Sequence, residues 1–291
     1  MGIFDKIRDL FAGEAGTRTC QELAEWLGVE LKVLEDIKPD YHEFTISKRS
    51  GGKRTISAPS KELKRIQRLI NRRLLSHLQS HPNVTGFEKG HSIVTNANLH
   101  ANKAVVLRMD IKDFFASTES GRVNRFFRRI GWDAKASKLL TKICTCKNGL
   151  PQGAPTSPRL SNLVNYPIDA RLSALASKLS ASYSRYADDM TFSFDTDERN
   201  KLAGVIKVTK EVVAFYGYKL HQKKKLRITR RHQRQQVTGL VVNEKVQLPR
   251  KTRRWLRAVK HHIETDRQVT LTDAQRAGWQ ALQNMIDIQA K

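Results

Sequence analysis

The sequence Ala-Ser-Tyr-Ser-Arg-Tyr-Ala-Asp-Asp-Met-Thr-Phe-Ser-Phe occupies residues 181–194. From Met190 to Phe194 every second residue is apolar, and this period of two is typical of a half-buried β-strand. The stretch therefore predicts a hairpin whose tight turn carries two adjacent acids, Asp188 and Asp189. Turns also favour aspartate for purely structural reasons, so the acidic pair alone is a weak indication of function.

A third carboxylate ends another strand pattern earlier in the chain. Residues 104–111 are mostly apolar and are predicted as a buried strand ending at Asp110. Adjacent carboxylates resist ionising together without a cation, and carboxylate and carbonyl oxygens suit Mg²⁺. We therefore expect Asp110 and Asp188 to meet on adjacent strands and to hold two Mg²⁺ ions about 3.5–4 Å apart. Asp189 is expected as a secondary ligand.

The remaining patterns mix helices and strands. They predict helical segments at 1–40, 61–74, 119–146 and from residue 249 onward, a hairpin at 41–60 and a strand at 237–243. In the first segment, Thr19 and Glu22 have the spacing of a helix capping box. A helix-turn-helix motif is an alternative for that segment, although no turn glycine supports it. Central strands with flanking helices indicate an α+β fold.

The chain is strongly basic. Its 291 residues include 53 Lys+Arg and 28 Asp+Glu, which gives a formal net charge of +25. Such a surface repels itself unless an anionic partner covers it, and a phosphate backbone is the expected cover. No apolar run approaches the roughly 18 residues that a membrane span requires. We therefore expect a nucleic-acid partner and no membrane partner.

The amino terminus and the cysteines favour a cytoplasmic location. Acidic residues interrupt the first apolar stretch, so no signal peptide is expected. The three cysteines have no zinc-ligand spacing, which indicates reduced thiols. They are Cys20, Cys144 and Cys146.

A loop rich in Gly and Pro lies between the two acidic strands, at residues 148–158. Ser157 is suited to cap a helix, and Pro158 fits its first turn. Gly153 allows another backbone or a base pair to approach closely. A plain surface loop is the alternative, but it does not explain why a helix begins at once after the loop.

These motifs, in this order, resemble the reverse transcriptases of bacterial retrons. The resemblance rests on the Asp110 strand followed by Phe114-Phe115, the Leu-Pro-Gln-Gly-Ala-Pro-Thr-Ser-Pro run at 150–158, and Tyr-Ala-Asp-Asp at 186–189. It extends from about residue 40 to about residue 265. Two further elements resemble retron signatures, namely Asn96-Ala97-x-x-His100 and Val237-Thr238-Gly239. A polar loop and a strand with a bulge glycine are the structural alternatives for these two elements.

The resemblance implies a right-hand polymerase built from fingers, a palm with an antiparallel sheet, and a helical thumb. We expect an N-terminal helical segment at 1–40, fingers at 41–103, a palm at 104–245 and a thumb at 246–291. The implied activity is RNA-directed DNA synthesis from dNTPs on a cognate structured non-coding RNA. That RNA serves as both template and primer, and priming from a guanosine 2′-OH yields a branched RNA–DNA hybrid (msDNA). The resemblance further implies anti-phage defence with an accessory effector protein.

Roles at the catalytic centre also follow from the resemblance. It implies that Asp110, Asp188 and Asp189 bind the metal ions. Phe115 matches an aromatic residue that blocks a ribose 2′-OH, because a bulky ring in the sugar pocket clashes with the extra hydroxyl. Core packing is the alternative for Phe115 and for its neighbour Phe114, and one ring of the pair is expected to take each role, since neighbours on a strand face opposite ways.

Further residues match nucleotide-handling positions. Lys53 and Arg54 match residues that hold the incoming triphosphate, with a solvated turn as the alternative. Gln152 resembles a residue that positions template and nucleotide, and Gly153 lies beside it. Lys224 aligns best with a lysine that protonates the departing pyrophosphate, although the register among the three consecutive lysines there stays open.

The residues implied in RNA binding lie in the two signature elements and on the C-terminal helix. On that helix, arginines occupy the arc opposite an apolar face, and a merely solvated face is the alternative. The apolar face carries Trp255, Val259, His262 and Ile263 at core spacing. The residues expected to bind RNA are Asn96, His100, Val237, Thr238, Gly239, Arg250, Arg253, Arg254 and Arg257.

Two other functions stay open at this point. The chain could be another defence-associated or group II intron-like reverse transcriptase, and an RNA gene beside its own would distinguish a retron. Alternatively, it could be an RNA-binding scaffold without activity. The presence of all three carboxylates favours the enzyme.

Overall fold

The structure is a computed structural model that describes residues 18–47, 51–221, 226–265, 267 and 271–290. The first part of the predicted N-terminal segment and Lys224 lie outside these ranges. In chain order the described elements are α1 (Cys20–Leu27), α2 (Leu31–Asp36), β1 (Tyr41–Ser47), β2 (Lys53–Pro59), α3 (Lys61–Arg73), a 3₁₀ turn (Leu75–His77), α4 (Ile93–Asn98), β3 (Val105–Asp110), α5 (Ser120–Arg129), α6 (Ala134–Cys144), α7 (Ser157–Val164), α8 (Tyr166–Lys178), β4 (Ala181–Tyr186), β5 (Asp189–Phe194), α9 (Arg199–Phe215), β6 (Arg227–Arg230), β7 (Gln236–Val237), β8 (Leu240–Val241), α10 (Arg250–Glu264) and α11 (Asp273–Gln289).

The chain forms two compact units, each assembled from separate stretches of sequence. The first unit comprises 1–81, 112–170 and 213–219. The second unit comprises 82–111, 171–212 and 220–291. The α+β class is confirmed by the mixture of helices and antiparallel sheets. The division into an N-terminal segment, fingers, palm and thumb stays a prediction.

The first unit contains the predicted hairpin β1–β2 and a helical core. Strand β1 pairs antiparallel with β2 from Tyr41↔Pro59 to Ser47↔Lys53. The capping box at the start of α1 is confirmed, because the side chains of Thr19 and Glu22 each bond the other's backbone N–H. The core joins apolar faces of α1, α3, α5, α6 and α7.

Two local expectations for the first unit need correction. The helical stretch predicted at 119–146 is two helices, α5 and α6, because Gly131 at φ +102° ends the first and Asp133 caps the second. The Asp133 carboxylate accepts the Ala136 N–H at 2.6 Å. The N-cap of α7 is Thr156 and not Ser157, whose hydroxyl instead donates to the Pro151 carbonyl at 2.7 Å.

The second unit is organised around a four-stranded antiparallel sheet in the order β4-β5-β3-β6. The predicted hairpin at 181–194 and the predicted strand ending at Asp110 are both confirmed. Of the two acids expected in the turn, only Asp188 lies there, because Asp189 is the first residue of β5 and pairs with Tyr186. Because side chains alternate across a sheet, Val106, Arg108 and Asp110 share one face of β3. The acid therefore stands at the end of the central strand, on the same face as the paired residues Ser193 and Asp189 of β5.

The strand predicted at 237–243 is a small hairpin in the structure. Strands β7 and β8 hold only two residues each, and Thr238 and Gly239 form the turn between them with φ of +47° and +88°. The chain reverses here because both turn residues adopt positive φ, as tight hairpin turns require. This turn is the Val-Thr-Gly element.

Helices α10 and α11 complete the second unit. The predicted start of a basic helix at 249 is confirmed by α10, with Pro249 as its N-cap. The predicted apolar face is only partly correct, because Val259 and His262 are half-buried whereas Trp255 and Ile263 are exposed. Trp279 of α11 meets the Trp255 ring edge-on at a centroid distance of 5.6 Å. Within the described ranges, no helix combines the length and apolar character needed to cross a lipid bilayer.

Candidate active site

The acidic residues of the second unit converge through strand pairing. Asp110 of β3 lies directly opposite Asp189 of β5, and the Ile111 N–H donates to the Asp188 carbonyl oxygen at 2.9 Å. Paired Cα atoms in an antiparallel ladder are about 4.5–5.5 Å apart, and the next residue adds at most about 3.8 Å. The Cα atoms of Asp110 and Asp188 are therefore within about 9 Å. This separation permits the predicted meeting of the two acids.

Asp189 is engaged by a cation that the sequence analysis did not single out. The guanidinium of Arg108 donates to both carboxylate oxygens of Asp189, and its Nε–Oδ1 distance is 3.3 Å. The same guanidinium contacts the Gln236 carbonyl oxygen at 3.4 Å. Arg108 is the only charged residue in the apolar part of β3 and shares a face with Asp110, so strand alternation could have identified it. The Asp189 carboxylate is thus already bonded within the chain, and its role as a secondary ligand stays a prediction.

A histidine lies beside Asp110. The His221 backbone N–H donates to the Asp110 carbonyl oxygen at 2.9 Å, and its Nε2 atom is 3.6 Å from Asp110 Oδ1. The imidazole is partly exposed, whereas the carboxylate is mostly buried. Nothing in the local sequence around residue 221 distinguished this histidine from the neighbouring lysines.

The turn that carries Asp188 is strained and braced from outside the hairpin. Ala187 has φ +57°, a conformation that non-glycine residues rarely adopt. Residues 83–86 run along β4, where the Thr85 N–H donates to the Arg185 carbonyl oxygen at 3.0 Å. Gly86 lies so close that a Cβ atom there would be 2.6 Å from the Ala187 nitrogen. Only glycine permits this approach, and no pattern in the sequence predicted it.

The carboxylates supply oxygen donors of the kind that a divalent metal ion binds. Among the residues described, no three His, Cys, Asp or Glu side chains gather closely enough to hold a metal ion. Mg²⁺ keeps several waters and is commonly bound by one or two carboxylates together with substrate phosphates. Asp110 and Asp188 at the end of paired strands supply such a pair, with oxygen donors only.

The first signature element lies inside the second unit. Asn96 and His100 are both buried. The His100 ring contacts two hydroxyls, with Nδ1 2.7 Å from Ser193 Oγ and Nε2 2.8 Å from Ser184 Oγ. The Ser184 and Thr85 hydroxyls donate to Asn96 Oδ1 at 2.8 and 2.7 Å. Burial lowers the pKa of His100 to about 3, with a smaller contribution from the nearby Lys103 ammonium, so the ring is neutral.

The second signature element is also partly internal. Val237 is buried, Thr238 is half-buried and Gly239 is exposed. The Thr238 hydroxyl donates to the Ile93 carbonyl oxygen at 2.8 Å. Contact with RNA stays a prediction for these residues and for Asn96 and His100, whose side chains already have partners within the chain.

The predicted nucleotide residues that the structure describes all lie in the first unit. The Ser57 N–H donates to the Gln152 carbonyl oxygen at 2.9 Å, which holds the 148–158 loop against β2. Gly153 has φ +134°, and a Cβ atom there would be 2.8 Å from the Ser57 oxygen. The loop therefore lies against the strand that begins with the exposed Lys53 and Arg54.

The two adjacent aromatic residues lie in a turn and not on a strand, and they differ in burial. Phe114 is buried and stacks on Tyr218 at a centroid distance of 6.0 Å. Phe115 is half-buried, 5.5 Å from Phe114 between ring centroids, and packs against the core of the first unit. The exclusion of a ribose 2′-OH by Phe115 stays a prediction.

On α10 of the second unit, all the arginines expected to bind RNA are exposed: Arg250, Arg253, Arg254 and Arg257.

We predict that Gly86→Ala destabilises the protein by about 1–3 kcal/mol, because the added methyl group overpacks against the turn. Gly204→Ala is the matched control, since Gly204 lies in α9 with open space around its Cβ position. This control should raise stability by about 0.5–1 kcal/mol through helix propensity. Denaturant unfolding of both variants measures the difference, and equal stabilities would contradict the close approach.

We predict that His100→Gln removes a pH-dependent part of the stability. The folded pKa of His100 is about 3 and its ordinary value is 6.5, so the unfolded chain binds a proton first as pH falls. The contribution of the lowered His100 pKa to the free energy of unfolding is therefore complete above pH 6.5 and is lost towards pH 3. Between pH 7 and pH 5 the wild type should lose about 2 kcal/mol more than the variant. Parallel losses in denaturant unfolding at the two pH values would contradict a neutral, buried ring.

Comparison with known proteins matches residues 46–256 to the family described as reverse transcriptase (RNA-dependent DNA polymerase). The chain is 38% identical over 226 residues to the retron Ec86 reverse transcriptase of Escherichia coli, covering 77% of this chain and 70% of that protein. It is 34% identical over 315 aligned positions to the retron Mx65 reverse transcriptase of Myxococcus xanthus, covering 97% and 73%. It is also 36% identical over 284 residues to the retron Mx162 reverse transcriptase of Myxococcus xanthus.

The last match covers 84% of this chain but only 58% of the Mx162 protein. The family match includes all three acids and the loop between them, and the retron matches extend over most of the chain. The chain therefore belongs to the reverse transcriptases, which are RNA-directed DNA polymerases, and within them to the retron type.

Proposed function

We propose that this chain is the polymerase of a retron and that it copies part of a cognate structured non-coding RNA into DNA. In this proposal the RNA is both template and primer, and synthesis starts from a guanosine 2′-OH to give a branched RNA–DNA hybrid (msDNA). The pairing of Asp110 with Asp189, with Asp188 at the adjoining turn, is the observation that carries the polymerase part. The retron relatives support the source of the template.

Asp110 and Asp188 are the proposed ligands of two Mg²⁺ ions. When bound, the ions activate the attacking hydroxyl and neutralise the leaving pyrophosphate. The chain's own contribution is to hold the two carboxylates close together. His221 lies beside Asp110, and Arg108 is bonded to Asp189. Asp189, already bonded to Arg108, serves as a secondary ligand.

The nucleotide-handling groups in this proposal are those that the family resemblance implies. Exposed Lys53 and Arg54 donate to the triphosphate, since a triphosphate needs donors as well as metal ions. Phe115 excludes a ribose 2′-OH by steric clash. Gln152, whose backbone is fixed on β2, positions template and nucleotide beside Gly153. Lys224 lies outside the described residues, and its role as proton donor to pyrophosphate is part of the proposal.

The basic surface is the proposed contact with RNA and with the DNA product. The exposed arginines of α10 are spaced so that they can follow a phosphate backbone without reading bases. The net charge of +25 supports an extended polyanion as partner. We further propose anti-phage defence with an accessory effector protein, and the cytoplasm as the location, because RNA and dNTPs are available there.

We predict that the intact protein extends oligo(dT) on poly(rA) with dTTP and Mg²⁺. Asp188→Asn and Asp110→Asn should each lower the rate of nucleotide addition by about 10²–10³, because a preorganised charge at the reacting centre is lost. Asp195→Asn is the matched control, since that exposed acid follows the same hairpin and pairs with Lys103. Absence of product from the folded wild type would support an inactive RNA-binding scaffold instead.

We also predict a steep salt dependence of binding to the same primed poly(rA). Replacing Arg250, Arg253 and Arg254 by Gln should flatten the plot of log affinity against log salt by about 0.7–0.9 per phosphate contact removed. The matched control removes the same charge from α9, by replacing the exposed Arg199, Lys207 and Lys210 with Gln. Equal changes in both triple variants would show that total charge matters and that α10 is only a solvated face.

A further inference from the structure

Helix α4 belongs to the second unit, and side chains at or near each of its ends bond other elements of that unit. Its N-cap, Ser92, donates through its hydroxyl to Gln289 Oε1 of α11 at 2.5 Å. The Ile93 carbonyl oxygen, in the first turn, accepts the Thr238 hydroxyl at 2.8 Å. The N-terminal end of α4 is therefore held by the C-terminal helix and by the Val-Thr-Gly turn.

The other end of α4 is bonded to the carboxylate hairpin. His100 lies between Ser184 of β4 and Ser193 of β5, so one ring joins the two strands that lead into the Asp188 turn. Asn96 accepts from Ser184 and from Thr85. Thr85 belongs to the segment that also carries Gly86 against the turn. The contacts therefore involve both strands of the hairpin and the segment that runs along β4.

The number of protons available determines which atom donates in each hydrogen bond of this network. Each hydroxyl has one proton, and a neutral imidazole has one donor and one acceptor nitrogen. With Asn96 Oδ1 facing the hydroxyls, the Ser184 proton goes to Asn96, so Ser184 must accept from His100 Nε2. Nδ1 then accepts from Ser193. Every member has a partner, and such a satisfied buried network rigidifies the elements that it joins.

An apolar core connects the same elements. Val94 and Ala97 of α4, Val106 of β3 and Ile286 of α11 belong to one buried cluster, against which the half-buried Leu256 of α10 packs. Val106 lies on the strand that ends at Asp110, four residues before it. Displacement of α10 and α11 is thus opposed by the same packing that positions the catalytic strand.

We propose that the Asn96-Ala97-x-x-His100 and Val237-Thr238-Gly239 elements are positioning elements, which link the C-terminal helices to the carboxylate hairpin and act on the rate of nucleotide addition. The proposal rests on the proposed polymerase function. Its consequence is that RNA held by the C-terminal helices and the position of the acids are mechanically linked through α4. An RNA-contact role for the same residues makes the opposite prediction, namely a change in affinity.

The test compares isosteric and conservative variants in two measurements. Thr238→Val removes only the hydroxyl that bonds Ile93, whereas Thr238→Ser keeps it. With dTTP and primed poly(rA) both saturating, Thr238→Val and His100→Gln should lower the rate of addition by roughly tenfold or more, as expected for a small misplacement of catalytic groups. Thr238→Ser should stay within about twofold of wild type, and the dissociation constant for primed poly(rA) should change less than about twofold in all three.

Two further variants make the outcome decisive. Gln289→Ala tests the link at an exposed residue whose loss leaves the core intact, and a reduction of about threefold in the same rate is expected. Thr141→Val in α6 removes a buried hydroxyl bonded only within the first unit, to the Ser137 carbonyl and to Asn124, and should leave the rate unchanged. Weaker binding with an unchanged saturated rate would establish RNA contact instead and overturn the proposal.

Unchanged rates in both Thr238→Val and Gln289→Ala would also overturn it. A wild-type protein without extension activity would instead contradict the proposed function, so the two failures are distinguishable. Thermal unfolding of each variant separates loss of positioning from loss of fold, because the Thr238→Ser rescue and the exposed Gln289 site remain informative if His100→Gln unfolds.

Discussion

The antiparallel register of β3 against β5 is the constraint on which the candidate site depends. It places Asp110 opposite Asp189 and, by alternation, puts Arg108 on the same face. A slip of one residue would turn Asp110 and Arg108 to the opposite face and move Val105, Leu107 and Met109 out of the core. Burial of the apolar residues of the strand therefore fixes the register that brings the acids together. The packing of the core is what positions the acids of the candidate site.

Two of the three acids have a basic side chain beside them. Two carboxylates at the end of paired strands repel each other, and the chain places the Arg108 guanidinium on Asp189 and the His221 imidazole near Asp110. These contacts hold the side chains in place within a strongly basic protein. In the proposed function, the Arg108 contact makes Asp189 a secondary ligand and leaves the metal ions to Asp110 and Asp188.

The two retron signature elements have an internal role in the described structure. The first lies on and just after helix α4 and bonds the hairpin through the His100 and Asn96 side chains. The second bonds α4 through the Thr238 hydroxyl. Buried polar groups of this kind are costly unless every one is satisfied, and when satisfied they specify one arrangement of the elements that they join. Ala187, with φ +57°, lies in the turn of the hairpin that this network bonds, and Gly86 packs closely against it.

Local sequence patterns were sufficient to predict the strands and hairpins that bear the candidate site residues. Alternation predicted the hairpin at 181–194, a mostly apolar run predicted the strand ending at Asp110, and the Ser50-Gly51-Gly52 turn between strand-like residues predicted the hairpin at 41–60. Tertiary structure alone decided their partners. Arg108 and Asp189 are 81 residues apart, and Thr85 and Arg185 are 100 apart. No periodicity encodes such contacts, because they depend on how separate strands and helices pack. The inward orientation of His100 was not predicted for the same reason, since its partners Ser184 and Ser193 are 84 and 93 residues away.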